Sequence, residues 1–399
     1  MIATPEADSF FNQWGVLHRA LAQGASDLHF CVGAPAIGRV RGELVRLDTE
    51  LLSEDHLERL LRMVTDRFLM SRFYDEEISD LDYTLELPSL RRRFRVNVFR
   101  QYRGLSIVMR VLEDQVRSFQ ELGVPRSFEK MAQERSGLVL VTGATGSGKS
   151  TTLASLIEIL NQTKNAHIIT IEDPIEIVFE NKRALVEQRE VGTHVRDFHL
   201  ALRSALREAP DVILVGEIRD NDTARMVLRA AHIGVLVLAT LHTRSAQESI
   251  SRYCTFFEDN WRTGARAQLA DCLRGILCQK LVPTADGRGR VAACETLFGT
   301  TAVRHLIRDD KTHLLHSLME IAAADGMTTM EQSLIQACNE SRITLATAFE
   351  YCNDKQAFLS HVDPVLQKEL QIDWEMDVEI KRLEKIRQTR DAQSQVRMF

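Results

Sequence analysis

The chain has 399 residues, of which 44% are hydrophobic and 27% charged, with a formal net charge of −6. That length exceeds one ordinary hydrophobic core and predicts two or three domains, while the composition is that of a globular protein. The acidic balance gives no electrostatic footprint for a nucleic-acid partner, and no run approaches the roughly 20 apolar residues a membrane crossing needs. The first residues, Met1 to Asp8, have neither a basic start nor an apolar stretch, so a cytoplasmic location is expected. The seven cysteines are scattered without a Cys-x-x-Cys pair and are expected to be buried thiols rather than zinc ligands.

In chain order, residues 10–22 read as a helix ended by Gly24, and Ser26 opens a run of short strands separated by Gly33, Pro35, Gly38 and Gly42. A helix is expected over 53–68. Asp80–Leu87 and Arg93–Phe99 alternate at period two, with a turn at Pro88-Ser-Leu between them, which predicts a hairpin in an α+β domain over residues 1–112. Within it, Arg91-Arg-Arg93 reads as a solvated turn. Residues 113–123 read as a linker, followed by a helix start with Pro125 near its first turn.

From Gly137 apolar strands and amphipathic helices alternate, as a doubly wound nucleotide-binding domain requires. The predicted strands are 138–142, 166–172, 212–216 and 235–241, with helices over 151–160, 198–207 and 223–232 between them. This domain is expected to span 124–299. Beyond about Thr243 strands are expected to stop, with helices over 265–281, 300–308, 312–325, 329–341 and 345–351 and a helical region over 300–372. Residues 373–399, rich in both charge signs, read as a solvated tail.

The chemistry centres on Gly143-Ala-Thr-Gly-Ser-Gly-Lys-Ser-Thr151, between a buried strand and an amphipathic helix. Gly143, Gly146 and Gly148 let successive N–H groups converge on one anion, where β-carbons would obstruct the turn. Thr145, Ser147 and Thr151 complete the loop, Lys149 reaches the β- and γ-phosphates of ATP, and the Ser150 hydroxyl can hold Mg²⁺. The following helix turns its positive end toward the same phosphates. Carboxylates to organise Mg²⁺ and align or deprotonate water come from two strand ends: Glu172, Asp173 and Glu176 in one segment, Glu217 in the other. Gly216 stands where generic P-loop enzymes carry Asp. Thr240 and His242 end a third strand and are candidates to sense the γ-phosphate.

The segments 143–151, 170–176 (Thr-Ile-Glu-Asp-Pro-Ile-Glu), 201–220 and 239–243 (Ala-Thr-Leu-His-Thr) resemble the secretion ATPases in order and wording. Within that superfamily the chain is most similar to the PilT/PilU group, the retraction motors of type IV pili. Ala25-Ser-Asp-Leu-His29, Arg93-Phe-Arg-Val-Asn97, Arg103-Gly104, Ala302–Arg308 and Gly326–Leu334 extend the likeness over most of the chain. The four-cysteine zinc insert usual in extension and export members is missing.

The resemblance implies an α/β fold: a RecA-like P-loop motor domain with an α+β, PAS-like amino-terminal domain and a helical carboxyl-terminal extension. It implies Glu176 as the residue that activates water, Glu217 at the Walker B position and His242 at the end of the His box. It further implies a homohexamer in which arginines of one subunit reach its neighbour's nucleotide, with Arg95, Arg103 and Arg110 as candidates and Arg203 and Arg207 as alternatives. An inner-membrane pilus platform protein is the implied partner, with a second pilus ATPase as a further candidate. The chain departs from the pattern at Val235, where the family usually places a second His. Three other functions fit the same residues: an ATPase of a type IVB secretion or conjugation system, a DNA-translocating RecA-like ATPase, and an accessory ATP-binding subunit with little turnover.

Overall fold

A computed structural model describes residues 8–10, 14–40, 42–65, 67–75, 78–112 and 115–364. The predicted tail at 373–399 lies outside the described residues. The chain divides into two compact units, one within Met1–Arg117 and Ala154–Glu217, the other within Ser118–Leu153 and Ile218–Phe399.

The first unit opens with β1 (Ala25–Cys31), β2 (Ile37–Val40), β3 (Glu43–Arg46), β4 (Asp80–Leu87), β5 (Arg92–Gln101) and β6 (Gly104–Val111). They form one antiparallel sheet in the order β3-β2-β1-β6-β5-β4. The predicted β4–β5 hairpin is present, turned by a short 3-10 segment at Pro88–Leu90. β6 was not anticipated; it pairs with β5 from Phe94↔Val111 to Gln101↔Gly104. The helix expected over 53–68 covers Glu54–Val64 with Ser53 and His56 as its capping box, and a separate helix follows at Arg67–Tyr74. Leu57, Leu60, Leu61 and Val64 lie on one stripe and pack into a core with Leu28, Phe30, Phe94, Val96 and Val98.

Seven further strands follow: β7 (Gly137–Thr142), β8 (His167–Glu172), β9 (Leu185–Glu190), β10 (Val212–Val215), β11 (Leu236–Leu241), β12 (Leu273–Pro283) and β13 (Arg290–Phe298). In the first unit β10, β8 and β9 are parallel neighbours in that order. In the second, the order is β13-β12-β7-β11, with β7 parallel to both β11 and β12. The strands are near-continuously apolar and buried, as interior parallel strands are. β9, largely polar, was missed in the sequence.

The expectation that strands stop near Thr243 is wrong. The helix predicted over 265–281 ends at Cys272, and the chain continues as β12, which pairs antiparallel with β13 from Gly275↔Phe298 to Pro283↔Arg290. The physical reason is burial: β12 is covered along nearly its whole length, so its apolar run carries no period that separates strand from helix. Glycines allow the close approach, since a β-carbon on Gly299 would lie 2.1 Å from the Leu273 carbonyl oxygen. Past β13 the helices are Thr301–Arg308, Leu315–Ile321, Met330–Asn339, Leu345–Tyr351 and an unanticipated Lys355–Ser360; the segment expected as one helix over 312–325 is a helix flanked by 3-10 turns. Thr300, Thr329 and Thr344 cap three of them.

Candidate active site

In the second unit β7 delivers the chain into the glycine loop, and helix Lys149–Thr163 leads away from it. Gly143, Gly146 and Gly148 all have left-handed φ values, of 147°, 76° and 88°. A β-carbon on Gly143 would sit 2.3 Å from the Gln279 carbonyl oxygen and 2.5 Å from Ser147 Oγ, so glycine is sterically required there. Lys149 is buried and its Nζ donates to the loop's own carbonyls, Gly143 O at 2.9 Å and Ala144 O at 3.0 Å. The Ser147 hydroxyl is buried without a hydrogen-bond partner among the described residues. A cradle of glycines, an inward-turned ammonium and an orphaned hydroxyl fit a polyphosphate. Thr145, Gly146 and Ser150 are exposed and Thr151 half-buried.

β11 brings the third motif to the loop. Thr240 pairs with Val141 and Leu241 with Thr142, and Gly143 N donates to Leu241 O at 3.3 Å. His242 is therefore one residue past the point where the loop begins, and it is exposed. Val235, the departure from the family pattern, is buried at the entrance to β11, with its N–H on Ala230 O and its carbonyl accepting from Gly137 N. His232 is exposed at the end of helix Asn221–His232.

One residue of this unit escaped sequence reading because its segment looked helical. Gln279 of β12 is buried, and its Oε1 accepts from the Thr152 hydroxyl at 2.7 Å. A β-carbon on Gly148 would lie 2.9 Å from its Nε2, so Gln279 backs the phosphate loop directly. The only signal was the polar pair Gln279-Lys280 interrupting the apolar run 276–282.

In the first unit β8 and β10 end side by side, with Val215 paired to Ile171 and Gly216 N donating to Ile171 O at 2.8 Å. This brings Glu172 and Glu217 together at the carboxyl ends of parallel strands, where ligands of such sheets sit. A β-carbon on Gly216 would be 3.2 Å from Ile171 O and 3.3 Å from Glu172 Cα, which accounts for glycine at the generic Asp position. Burial pushes the Glu172 carboxyl up to about 7, against the hydrogen bonds donated by Thr170 Oγ1 and Gln188 Nε2, and the nearby Glu176 charge adds to the rise. Past the cis Asp173–Pro174 peptide, Ile175 is buried and Glu176 half-buried.

The arginines predicted to reach a neighbouring subunit differ in their partners here. Arg95 grips Asp82 with two nitrogens, and Asp173 and Glu176 are near enough to act on its charge. Arg110 Nε donates to Asp27 at 2.7 Å. Arg103 is exposed in the β5–β6 turn, and Arg203 and Arg207 are exposed at helix Phe198–Ala205 and just beyond it. Arg93, expected in a solvated turn, is instead buried, because β5 turns it inward toward the Glu176 segment.

The sequence profile of the type II/IV secretion system proteins matches residues 14–361. The chain belongs to that family. The chain is similar to the type IV pilus retraction ATPase PilT of Pseudomonas aeruginosa, 44% identical over 78% of this chain and 90% of that protein. The type IV pilus ATPase PilU of the same organism is 35% identical over 85% of this chain and 88% of its own length. Among solved structures, the pilus retraction motor PilT with bound ADP superposes with a TM-score of 0.81 at 41% identity, covering 86% of this chain and 97% of that one. The Legionella pneumophila ATPase DotB gives 0.72 at 29% identity, over 86% and 94%. The expected fold, a RecA-like motor with an amino-terminal domain, is thereby borne out, and the chain is a PilT-like, nucleotide-binding secretion ATPase. Among the described residues no helix is long and apolar enough to cross a membrane.

Proposed function

We propose that this ATPase is the subunit of a homohexameric motor that powers type IV pilus retraction, hydrolysing MgATP at the glycine loop. The observation that carries the proposal is the loop itself, with Lys149 turned inward, glycine enforced at 143 and an orphaned Ser147 hydroxyl, in a chain 44% identical to a retraction ATPase. Gly143, Thr145, Gly146, Ser147, Gly148, Lys149 and Thr151 would hold the phosphates, and Ser150 would hold Mg²⁺. Glu176 would activate water, Glu217 would stand at the Walker B position beside the metal, and His242 would sense the γ-phosphate. Arg95 and Arg110 would each have to exchange an intrachain carboxylate to act on a neighbour's nucleotide, whereas Arg103 is presented at a turn. The domain organisation that goes with this is 1–112, a linker at 113–123, a motor at 124–299, a helical region at 300–372 and a tail from 373. The motor would work at the cytoplasmic face of the inner membrane on a pilus platform protein, with a second pilus ATPase as a further partner.

The test is ATPase activity of the purified full chain beside Glu176→Gln across protein concentration, with light scattering to report assembly. Turnover that rises with hexamer formation and vanishes in the variant supports an intersubunit motor. A hexamer that binds ATP without hydrolysing it would make the chain an accessory subunit. In cells, deletion should abolish twitching and leave surface pili that do not retract; unchanged retraction would move the cargo to a secretion or conjugation apparatus.

A further inference from the structure

Residues 175 and 176 belong to no helix or strand, so the backbone that carries Glu176 has no ladder to fix it. It is fixed by side chains instead. Arg93 of β5 is 8% exposed, and its two terminal nitrogens donate to consecutive carbonyls, Nη1 to Ile175 O at 3.2 Å and Nη2 to Glu176 O. From the other direction, Ile175 N donates to Glu190 Oε2 at 3.1 Å. Glu190, the last residue of β9, is 5% exposed; the same oxygen accepts from the Thr84 hydroxyl of β4 at 3.2 Å, and its second oxygen accepts from Thr193 at 2.8 Å. Three backbone groups on two adjacent residues are thus held by two buried side chains, Arg93 and Glu190. Charge-assisted bonds of this kind are about twice as strong as neutral ones, and losing one partner strands the other in the interior.

We propose that Arg93 and Glu190 are positioning residues for Glu176: a buried clasp that fixes the backbone from which the water-activating carboxylate projects, and that ties it to β4 and β5 of the amino-terminal sheet. This rests on Glu176 being the base. A displacement of β4 and β5 from residues 175–176 breaks the clasp and withdraws the base, so the position of the amino-terminal sheet gates hydrolysis. The bonds described for the clasp go to the backbone of residues 175 and 176 and to Thr84 and Thr193, none of them a proposed phosphate ligand, so its loss should act on turnover and spare ATP binding.

The experiment is steady-state hydrolysis of MgATP by the full chain carrying Arg93→Gln, Arg93→Lys or Glu190→Ala, each also combined with Glu176→Gln, alongside binding of a fluorescent ATP analogue and thermal melting. Misplacing a catalytic group by about 1 Å costs about 100-fold, so Arg93→Gln should lower kcat about 10- to 100-fold with KM and analogue affinity within about twofold of wild type. Arg93→Lys, which keeps the charge but lacks the fork, should fall between. On the Glu176→Gln background none of the three changes should lower the residual rate further, a non-additivity that a merely structural role would not produce. If Arg93→Gln does not fold, Glu190→Ala and the milder Thr84→Val, which unties β4 alone, carry the same test. Wild-type kcat in the folded clasp variants, or a raised KM at unchanged kcat, would overturn the clasp while an inactive Glu176→Gln leaves the base in place. An active Glu176→Gln would overturn the base and the clasp with it.

Discussion

Lys149 Nζ donates to Gly143 O and Ala144 O, so ATP bound as proposed would exchange these two loop carbonyls for phosphate oxygens. Lys149→Ala should weaken ATP binding about 10- to 100-fold, the worth of one charged hydrogen-bonding group, as measured with the fluorescent analogue. Gly143→Ala should weaken binding further, through backbone rather than charge, because its β-carbon would meet Gln279 O and Ser147 Oγ. Elsewhere Glu295 of β13 is 2% exposed and accepts from Ala246 N at 2.6 Å, yet burial and the neighbouring Glu331 push its carboxyl up to about 7. A carboxyl raised from an unfolded value of 4.5 holds its proton in the folded state while the unfolded chain has lost its own. Its contribution to stability is therefore complete below pH 4.5 and declines as pH rises through about 7, by about 3 kcal/mol at most. Glu295→Gln should flatten that decline, read from urea unfolding at several pH values.

At the scale of elements, the β12–β13 hairpin does what the predicted helix could not. It places Gln279 behind Gly148 and Thr152, and it lets Thr142, Ser249 and Cys278 share a buried polar contact at the base of the loop. Gln279→Ala should leave the Thr152 hydroxyl unpaired and the loop unsupported, weakening ATP binding about 5- to 10-fold, or about 1 kcal/mol, with folding intact. A second connection is made by the segments beyond the hairpin. Asn353 Nδ2 donates to Arg244 O just past the His box, while Glu331 Oε1 accepts from Asn353 N and Asp354 N. The helices beyond β13 are thereby bonded to the segment that follows His242.

At the scale of the whole molecule, a net charge of −6 sets an expectation about partners. Adding duplex or single-stranded DNA should leave the ATPase rate unchanged at low and moderate salt; a rate that rises with DNA and falls steeply with salt would point to translocation instead. Within the first unit lie the carboxylates at the ends of β8 and β10; within the second lie the glycine loop and the segment that carries His242. The proposed clasp would give the amino-terminal sheet a hydrogen-bonded route to the Glu176 segment, through β4 and β5, within the first unit.

Motifs with local physical requirements were determined by the sequence alone. A glycine loop after a buried strand and carboxylates at strand ends each depend on a few consecutive residues, and these stood where their spacing put them. Elements whose identity depends on burial were not. β12 has an apolar run that either a buried strand or a buried helix could carry, and only its pairing with β7 and β13 made it a strand. Arg93 shows the same limit at a single residue: within Arg91-Arg-Arg93 it looks like one of three solvated cations, and its burial follows from the carbonyls of Ile175 and Glu176, 82 and 83 positions away, that the tertiary fold brings to it.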